Sequence, residues 1–536
     1  MRSWIWLCLV GGVVATQVFL WLTQIPLGIP GEWTWHRSPV EPDTGWNLVG
    51  IGAAAVLFLM FVETGAGRLV RSRQSQFRAI ELGAWLTGLV AVSIAWLWVV
   101  QEGAPIRNRL GKSAFVLYYS GSSGYFTRAR YDSPNPTRFL EEYESLMREG
   151  DVLHVGTHPP GLFLVFHGLI GLCQHSGWLG PVLDATQPAS FREACDVIAD
   201  NARLTGQPLL PTDRRVLWLC TLSVLVAAGL SVVPLYFLIA WSHDPVTAWR
   251  TAALWPAIPA LAVFVPKADV AYALIGLLIT WAWWWAIHRK SLVGGFLTGL
   301  LAWCGLMTSL AFLPVVLFTV IVRWTSILRD RSQSAAGTNG TEPPQEARGV
   351  EWPHSRRDQL KQAILAHPPL PLVGAGLAGF LIPTIALGWC FRINLFVVWW
   401  WNYRNHAGFY AEYPRTYWKW LLENPIELAF AGGWPVTFLA IAALGCSLRT
   451  GRLLSHPPAI AVVLVWGSLW LTGKNSSEAA RLWIVFLPWL AWLAADRLSQ
   501  WDREATGRWI RPSTVVLVLQ LIVSALTVTR ISGFEF

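Results

Sequence analysis

The sequence predicts an all-α, polytopic integral membrane protein with about 13 transmembrane helices and amphipathic juxtamembrane helices in large outer loops. Three observations carry this expectation. The 536 residues are 54% hydrophobic and 14% charged, too apolar for a water-soluble domain. Apolar runs near the roughly twenty residues that cross hydrocarbon as a helix recur along the chain. The 35 Trp exceed what a soluble core needs, and indole rings favour the headgroup layer, wetted at one edge and buried at the other.

In chain order the runs lie at 3–24, 47–66, 81–101, 214–240, 249–265, 269–287, 292–307, 309–325, 369–388, 425–446, 456–472, 481–496 and 512–530. The first follows a lone Arg2 and lacks a small-residue cleavage site, so it is expected to remain as a span. Basic stretches at Arg68 to Arg78, His288-Arg289-Lys290, Arg323 to Lys361, Arg449 to Arg452 and Arg497 to Arg511 are expected to stay in the cytoplasm. That alternation puts the N-terminus inside and turns 27–46, 102–213, 266–268, 389–424 and 473–480 outward. Leu162 to Cys173 is apolar but has the length of a re-entrant or interfacial helix, and counting it as a span would move His288-Arg289-Lys290 outside.

The chain therefore divides into three N-terminal spans (1–101), an outer loop segment (102–213), a second group of spans (214–325), a flexible cytoplasmic linker (326–368) and C-terminal spans (369–536) with an outer loop at 389–424. The linker is rich in Ser, Gly, Pro and Glu and too polar to bury a core. The net charge of +9 is spread in short runs between apolar segments, as an orientation signal requires, so no nucleic-acid partner is expected. Seven Cys without a CxxC pair show no metal or disulfide framework.

The most informative stretch runs from Tyr125 to Leu164. Ser133 or Asn135 can cap a helix there, Pro136 suits its first turn, and Phe139, Tyr143 and Leu146 recur at i, i+4, i+7. Such a helix is expected to lie on the outer leaflet with its aromatic face in lipid. Asp132 precedes it, and both the helix N-terminus and the nearby Arg128 and Arg130 favour ionised aspartate. An ionised carboxylate there can take a proton from an attacking hydroxyl; the plainer alternative is a turn or capping residue. His154 and Thr157-His158-Pro159-Pro160-Gly161 follow. His-Pro-Pro recurs at His367 and His456, where proline simply opens a helix, so only the neighbours of His158 set its copy apart. His154 and His158 would pair on zinc only in a helix, which Gly156 and the prolines oppose, so no metal is expected.

The order of an outer-loop Asp, a membrane-lying helix with Tyr and then His-Pro-Pro-Gly opening an apolar segment resembles the first outer loop of the GT-C class of membrane glycosyltransferases, such as protein O-mannosyltransferases and the lipid A aminoarabinose transferase. The resemblance extends to Pro266-Lys267-Ala268-Asp269 and to the number of spans. It implies Asp132 as base, His158 near the phosphate of a polyprenyl-phosphate sugar, and no cofactor. This chain departs from the family in having two additional spans before the loop, and Asp132-Ser133 where the family has Asp-Glu.

The second outer loop, Asn402 to Asn424, interleaves aromatics with Arg404, His406, Arg415 and Lys419. Aromatic faces such as Tyr403 suit sugar rings and the cations suit phosphate; the alternative is an interfacial belt with snorkelling cations. Lys474, Glu478 and Arg481 precede a span, and a charge at that boundary points to function. The combined expectation is transfer of a sugar with inversion, from a polyprenyl-phosphate donor to a hydroxyl of a glycan, lipid or protein. The reaction is expected at the outer face of a bacterial inner membrane. Arg128, Arg130, His158, Arg404 and Arg481 are expected at the donor phosphate, and Asp269, His154, His406, Tyr403 and Glu478 at the substrates. The alternatives are a lipid-linked polysaccharide ligase or polymerase and a secondary transporter. The transporter would place charges near mid-membrane, and Glu63 is the one exception to their outer-boundary clustering.

Overall fold

The computed structural model describes residues 3–72, 79–153, 155–205, 207–337, 370–450, 453, 456–505, 507 and 510–534. The expected linker lies largely outside them. The chain is nearly all helical. α1 (Ser3–Leu22) leads into a short hairpin, β1 (Gly28–Ile29) and β2 (Trp33–Thr34), then β3 (His36–Arg37), α2 (Thr44–Ser72) and α3 (Ala79–Glu102). The long connection that follows holds α4 (Lys112–Tyr118), α5 (Pro136–Arg148), α6 (Gly161–His175), α7 (Leu179–Thr186) and α8 (Ala189–Thr205).

The chain continues with α9 (Pro211–Leu230), α10 (Val232–Ala240), α11 (Pro245–Ala252), α12 (Pro259–Val263), α13 (Ala268–Arg289), α14 (Leu292–Thr308) and α15 (Phe312–Gly337). After the linker come α16 (Leu370–Phe391), α17 (Leu395–Glu412), α18 (Tyr417–Gly432), α19 (Trp434–Arg449) and α20 (Pro457–Leu471). The short α21 (Ala479–Leu482), α22 (Leu487–Glu504), α23 (Pro512–Arg530) and β4 (Ile531–Ser532) complete it.

Among the described residues, 7 helices are long and apolar enough to cross a membrane, or up to 9 if each of two bent pairs is one span. The expected thirteen is not reached by helices of that length. The remaining runs are shorter or broken: α14 and α20 are short apolar helices, and 249–265 is divided among α11, a turn at Trp255–Ala257 and α12. Pro256 and Pro259 cause that division, because proline lacks an N–H and biases the preceding residue away from helix. The broken backbone is fully enclosed by protein, and the Gln520 side chain donates to Ala257 O. Irregular backbone at membrane depth is tolerated where protein covers it in this way. Large apolar side chains such as Leu7, Leu57 and Trp389 point outward from their helices, as contact with lipid requires.

The expected span 425–446 is bent by 118° between α18 and α19. Gly433 makes the bend at φ 81°, and a Cβ there would lie 2.4 Å from the Gln520 amide. α6 and α7 are likewise bent by 107°, so the expected half-inserted segment is one arm of a bent pair. Its start packs against Met307 at the end of α14, and Asp184 in α7 pairs with Arg215 in the second turn of α9. Both arms thus meet their neighbours at the end of the bundle that carries the long connection, here called the loop end.

Contacts between helix ends define that side. Asn108 donates to Val528 O and Ile531 O, Lys112 to Ala262 O and Val263 O, and Tyr417 to Leu471 O. At the opposite, basic end, Arg250 joins Glu63, Asp502 and Ser513. Two two-stranded sheets add to the expected helices: β1 pairs with β2, and β3 with β4 across nearly the whole sequence. Glu32, at the tip of the first hairpin, accepts from Thr416 and the Trp420 indole and so fastens α18.

Candidate active site at the loop end

Asn135 caps α5 by accepting from the N–H groups of Thr137 and Arg138, and Pro136 follows in the first turn, where it loses no hydrogen bond. The aromatic face of this helix does not lie in lipid as expected. Phe139, Tyr143 and Met147 are buried, with Phe139 and Tyr143 packed on Phe163 of α6. Amphipathic spacing marks a face to be covered without naming the cover; here protein supplies it. Tyr143 Oη then donates to His158 O at 2.6 Å, and Asn402 Nδ2 donates to the same oxygen at 3.1 Å. Asn402 and Asn405 also both donate to Gly156 O, so α17 holds the Thr157-His158-Pro159-Pro160 turn in place.

Tyr125 is the centre of the arrangement. Gly124, at φ 75°, turns the chain into one helical turn and buries the Tyr125 ring. The ring meets His158 edge-on at 5.6 Å and Phe163 at 5.1 Å. Its phenol lies in Coulombic range of Asp269, Arg481 and Asp151, and burial raises it above the ordinary phenol range. Asp269, in the first turn of α13, is in Coulombic range of Arg481, Lys267 and Glu478. Arg481 Nη2 donates to Glu478 Oε1 at 2.7 Å, while its Nε is buried without a partner among the described residues. Lys267 donates to Ser122 O, and burial, with the Arg481 charge adding to it, pulls its ammonium down to about 7.

The remaining expected residues divide into three groups. His158, Asp269 and Arg481 gather around Tyr125, with Glu478 paired to Arg481. His406 joins their edge, since its imidazole is lowered by burial and by Lys474 and opposed by Glu478. Lys474 in turn lies 5.1 Å over the exposed Tyr403 ring, and exposed Arg404 lies 5.0 Å over Trp401. Asp132 sits in the same loop, half exposed, with Arg128 Nη1 at 3.7 Å.

Arg130 differs from expectation. Its Nε donates at 2.7 Å to Asp213, a buried residue in the first turn of α9, so it ties the loop to the bundle and its charge is already matched. His154 lies outside the described residues.

Tyr125, Lys267, Asp151, Asn402 and Asn405 went unread as site residues. The Asp151 carboxylate accepts from Leu153, Val155 and Gly156, shaping the turn before His158. The two Asn, three apart in α17, were the signal available, since polar residues at that spacing share a helix face. Among the described residues no three His, Cys, Asp or Glu are grouped to hold a metal ion.

No family model and no curated protein matches the chain. Among solved structures it is similar to the crystal structure of the Archaeoglobus fulgidus oligosaccharyltransferase in complex with Zn and sulfate, at TM-score 0.35 and 12% identity. The match covers 79% of this chain and 53% of that one, so the chain spans about half the length of that protein. A likeness at this level carries neither fold nor activity.

Proposed function

We propose that the protein is a membrane glycosyltransferase that moves a sugar from a polyprenyl-phosphate donor to a hydroxyl acceptor at the loop end, with inversion, in a bacterial inner membrane. The observation that carries this reading is the convergence of His158, Asp269 and Arg481 on Tyr125, with Lys267 and Glu478 beside Asp269 and Arg481. It joins residues from the first outer loop and the start of α13, where the resemblance to GT-C enzymes puts reacting groups, with the segment before α22, where a charge at the membrane boundary points to function.

In this reading the acceptor oxygen attacks the anomeric carbon while the bond from that carbon to the lipid phosphate breaks on the opposite face. Asp132, exposed and held by Arg128, takes the hydroxyl proton. Arg481, Arg128 and His158 steady the charge gathering on the departing phosphate. Asp269, Glu478 and His406 orient the sugar, and exposed Tyr403 and Arg404 meet substrate at the rim. Arg130 positions the loop through Asp213.

The test is to supply purified full-length protein in liposomes with radiolabelled polyprenyl-phosphate sugars and measure covalent transfer. Wild type is expected to transfer label, Asp132→Asn to lose about 10²–10⁴ in rate, and Arg481→Ala to lose about 10²–10³. Unchanged transfer by Asp132→Asn would remove that residue as base. Uptake into sealed vesicles with no covalent product would overturn the enzyme reading in favour of a transporter.

A further inference from the structure

A cavity of about 300 Å³ opens at the basic end, across the bundle from Tyr125. It is walled by the loop after α10, the last turns of α13, the start of α20 and the middle of α22. Three indoles (Trp241, Trp284 and Trp492) and two imidazoles (His243 and His456) surround one carboxylate, Asp496. His243 Nε2 lies 2.9 Å from Asp496 Oδ1, and His456 Nδ1 lies 3.4 Å from Oδ2. Ser242 Oγ lies 2.9 Å from the other nitrogen of His243. The carboxylate is therefore oriented from both sides while its side chain stays 31% exposed. Trp241 and Trp284 meet edge to face at 4.4 Å, forming an aromatic corner.

The charge of the lining decides the ligand class. Arg289, Lys290 and Arg497 lie nearby in the sequence, yet among the described residues no Arg or Lys lines the cavity, so a phosphate finds no fixed cation among them. An ammonium group finds a carboxylate and a wall of indole rings, two of which (Trp241 and Trp284) also pack against the His288 imidazole; a carboxylate and indoles are the features that favour organic cations. We propose that this cavity binds an ammonium group, with Asp496 as its counter-charge and Trp241, Trp284 and Trp492 as its aromatic walls. The third His-Pro-Pro copy thereby gains a purpose beyond opening α20, since its His456 helps orient Asp496. Two sources carry this chemistry: the headgroup of an aminophospholipid, and a free amine of the choline or ethanolamine kind.

The test uses the full chain in two arms. In lipid-free detergent, binding of choline is compared with that of 3,3-dimethylbutan-1-ol, its neutral isostere. In nanodiscs, native mass spectrometry compares retention of phosphatidylethanolamine with that of phosphatidylglycerol. Choline binding without binding of the isostere assigns a soluble amine, and selective retention of phosphatidylethanolamine assigns a lipid headgroup; either supports the proposal. Asp496→Asn is expected to weaken the positive arm about tenfold or more, the loss of one charge-assisted contact. Equal binding of the isostere, or no choline binding together with equal retention of the two lipids, overturns it. These comparisons need only the wild-type protein, so they decide the matter even if Asp496→Asn does not fold.

Discussion

Burial pulls the ammonium groups of Lys112 and Lys267 down to about 7. In the unfolded chain each keeps its proton to about 10.4. Between pH 7 and pH 9 the unfolded state therefore holds more protons than the folded state, and stability rises with pH across that window. Above it the Cys195 thiol, pushed up to about 12 by burial, acts in the opposite direction, because the folded chain then holds the extra proton. Thermal unfolding in detergent is expected to occur at higher temperature at pH 9 than at pH 7 for wild type. The difference should shrink in Lys112→Met, and an equal difference in that variant would refute Lys112 as a source. Single residues were also the least legible scale. Arg130 pairs with a residue 83 positions away, and Tyr125 stands in no periodic pattern, so nothing local marked either partnership.

At the scale of elements, the α14 and α16 pair rests on glycine. A Cβ on Gly299 would lie 1.8 Å from Gly376 O, and one on Gly379 2.0 Å from Phe296 O. Backbone oxygens cannot rotate aside, so Gly299→Val must separate the helices, at a cost of about 1–3 kcal/mol. Gly374, with nothing within 4 Å, is the control: Gly374→Val is expected not to lower the unfolding temperature, while Gly299→Val lowers it. Element starts were readable where chemistry is local, as at Asn135 and Pro136 of α5 and Pro512 of α23. The bend at Gly433 was not, because 425–446 is apolar apart from Glu427 and Thr437 and the φ of 81° answers to Gln520, a distant residue. The strands escaped notice because two residues are too few to show alternation.

Across the whole molecule, charge sits at the two ends of the bundle, and the basic end is knotted by Arg250. Its guanidinium, 7% exposed, joins Glu63 of α2, Asp502 of α22 and Ser513 of α23. Arg250→Met strands two carboxylates, one of them only 13% exposed, and is expected to cost about 3 kcal/mol. Thermal unfolding should show the loss, and adding Asp502→Asn should restore part of it; no recovery would mean that packing, not charge, holds the knot. Glu63 was legible as an odd charge, but its partners come from sequence positions so far apart that only the assembled bundle reveals them. The division into membrane helices and one large polar connection was visible from composition alone, since burial in lipid demands long apolar runs.

The pairing of His36 and Arg37 with Ser532 and Ile531 bears on how the protein is made. Being synthesised long before its partner, β3 has no mate until residues near 532 have left the ribosome. During that interval its backbone must be satisfied by water or by an insertion factor, so the loop end is sealed only after β4 has emerged. Removing the β4 residues would leave that early strand waiting in a bundle whose helices had already been delivered to the bilayer.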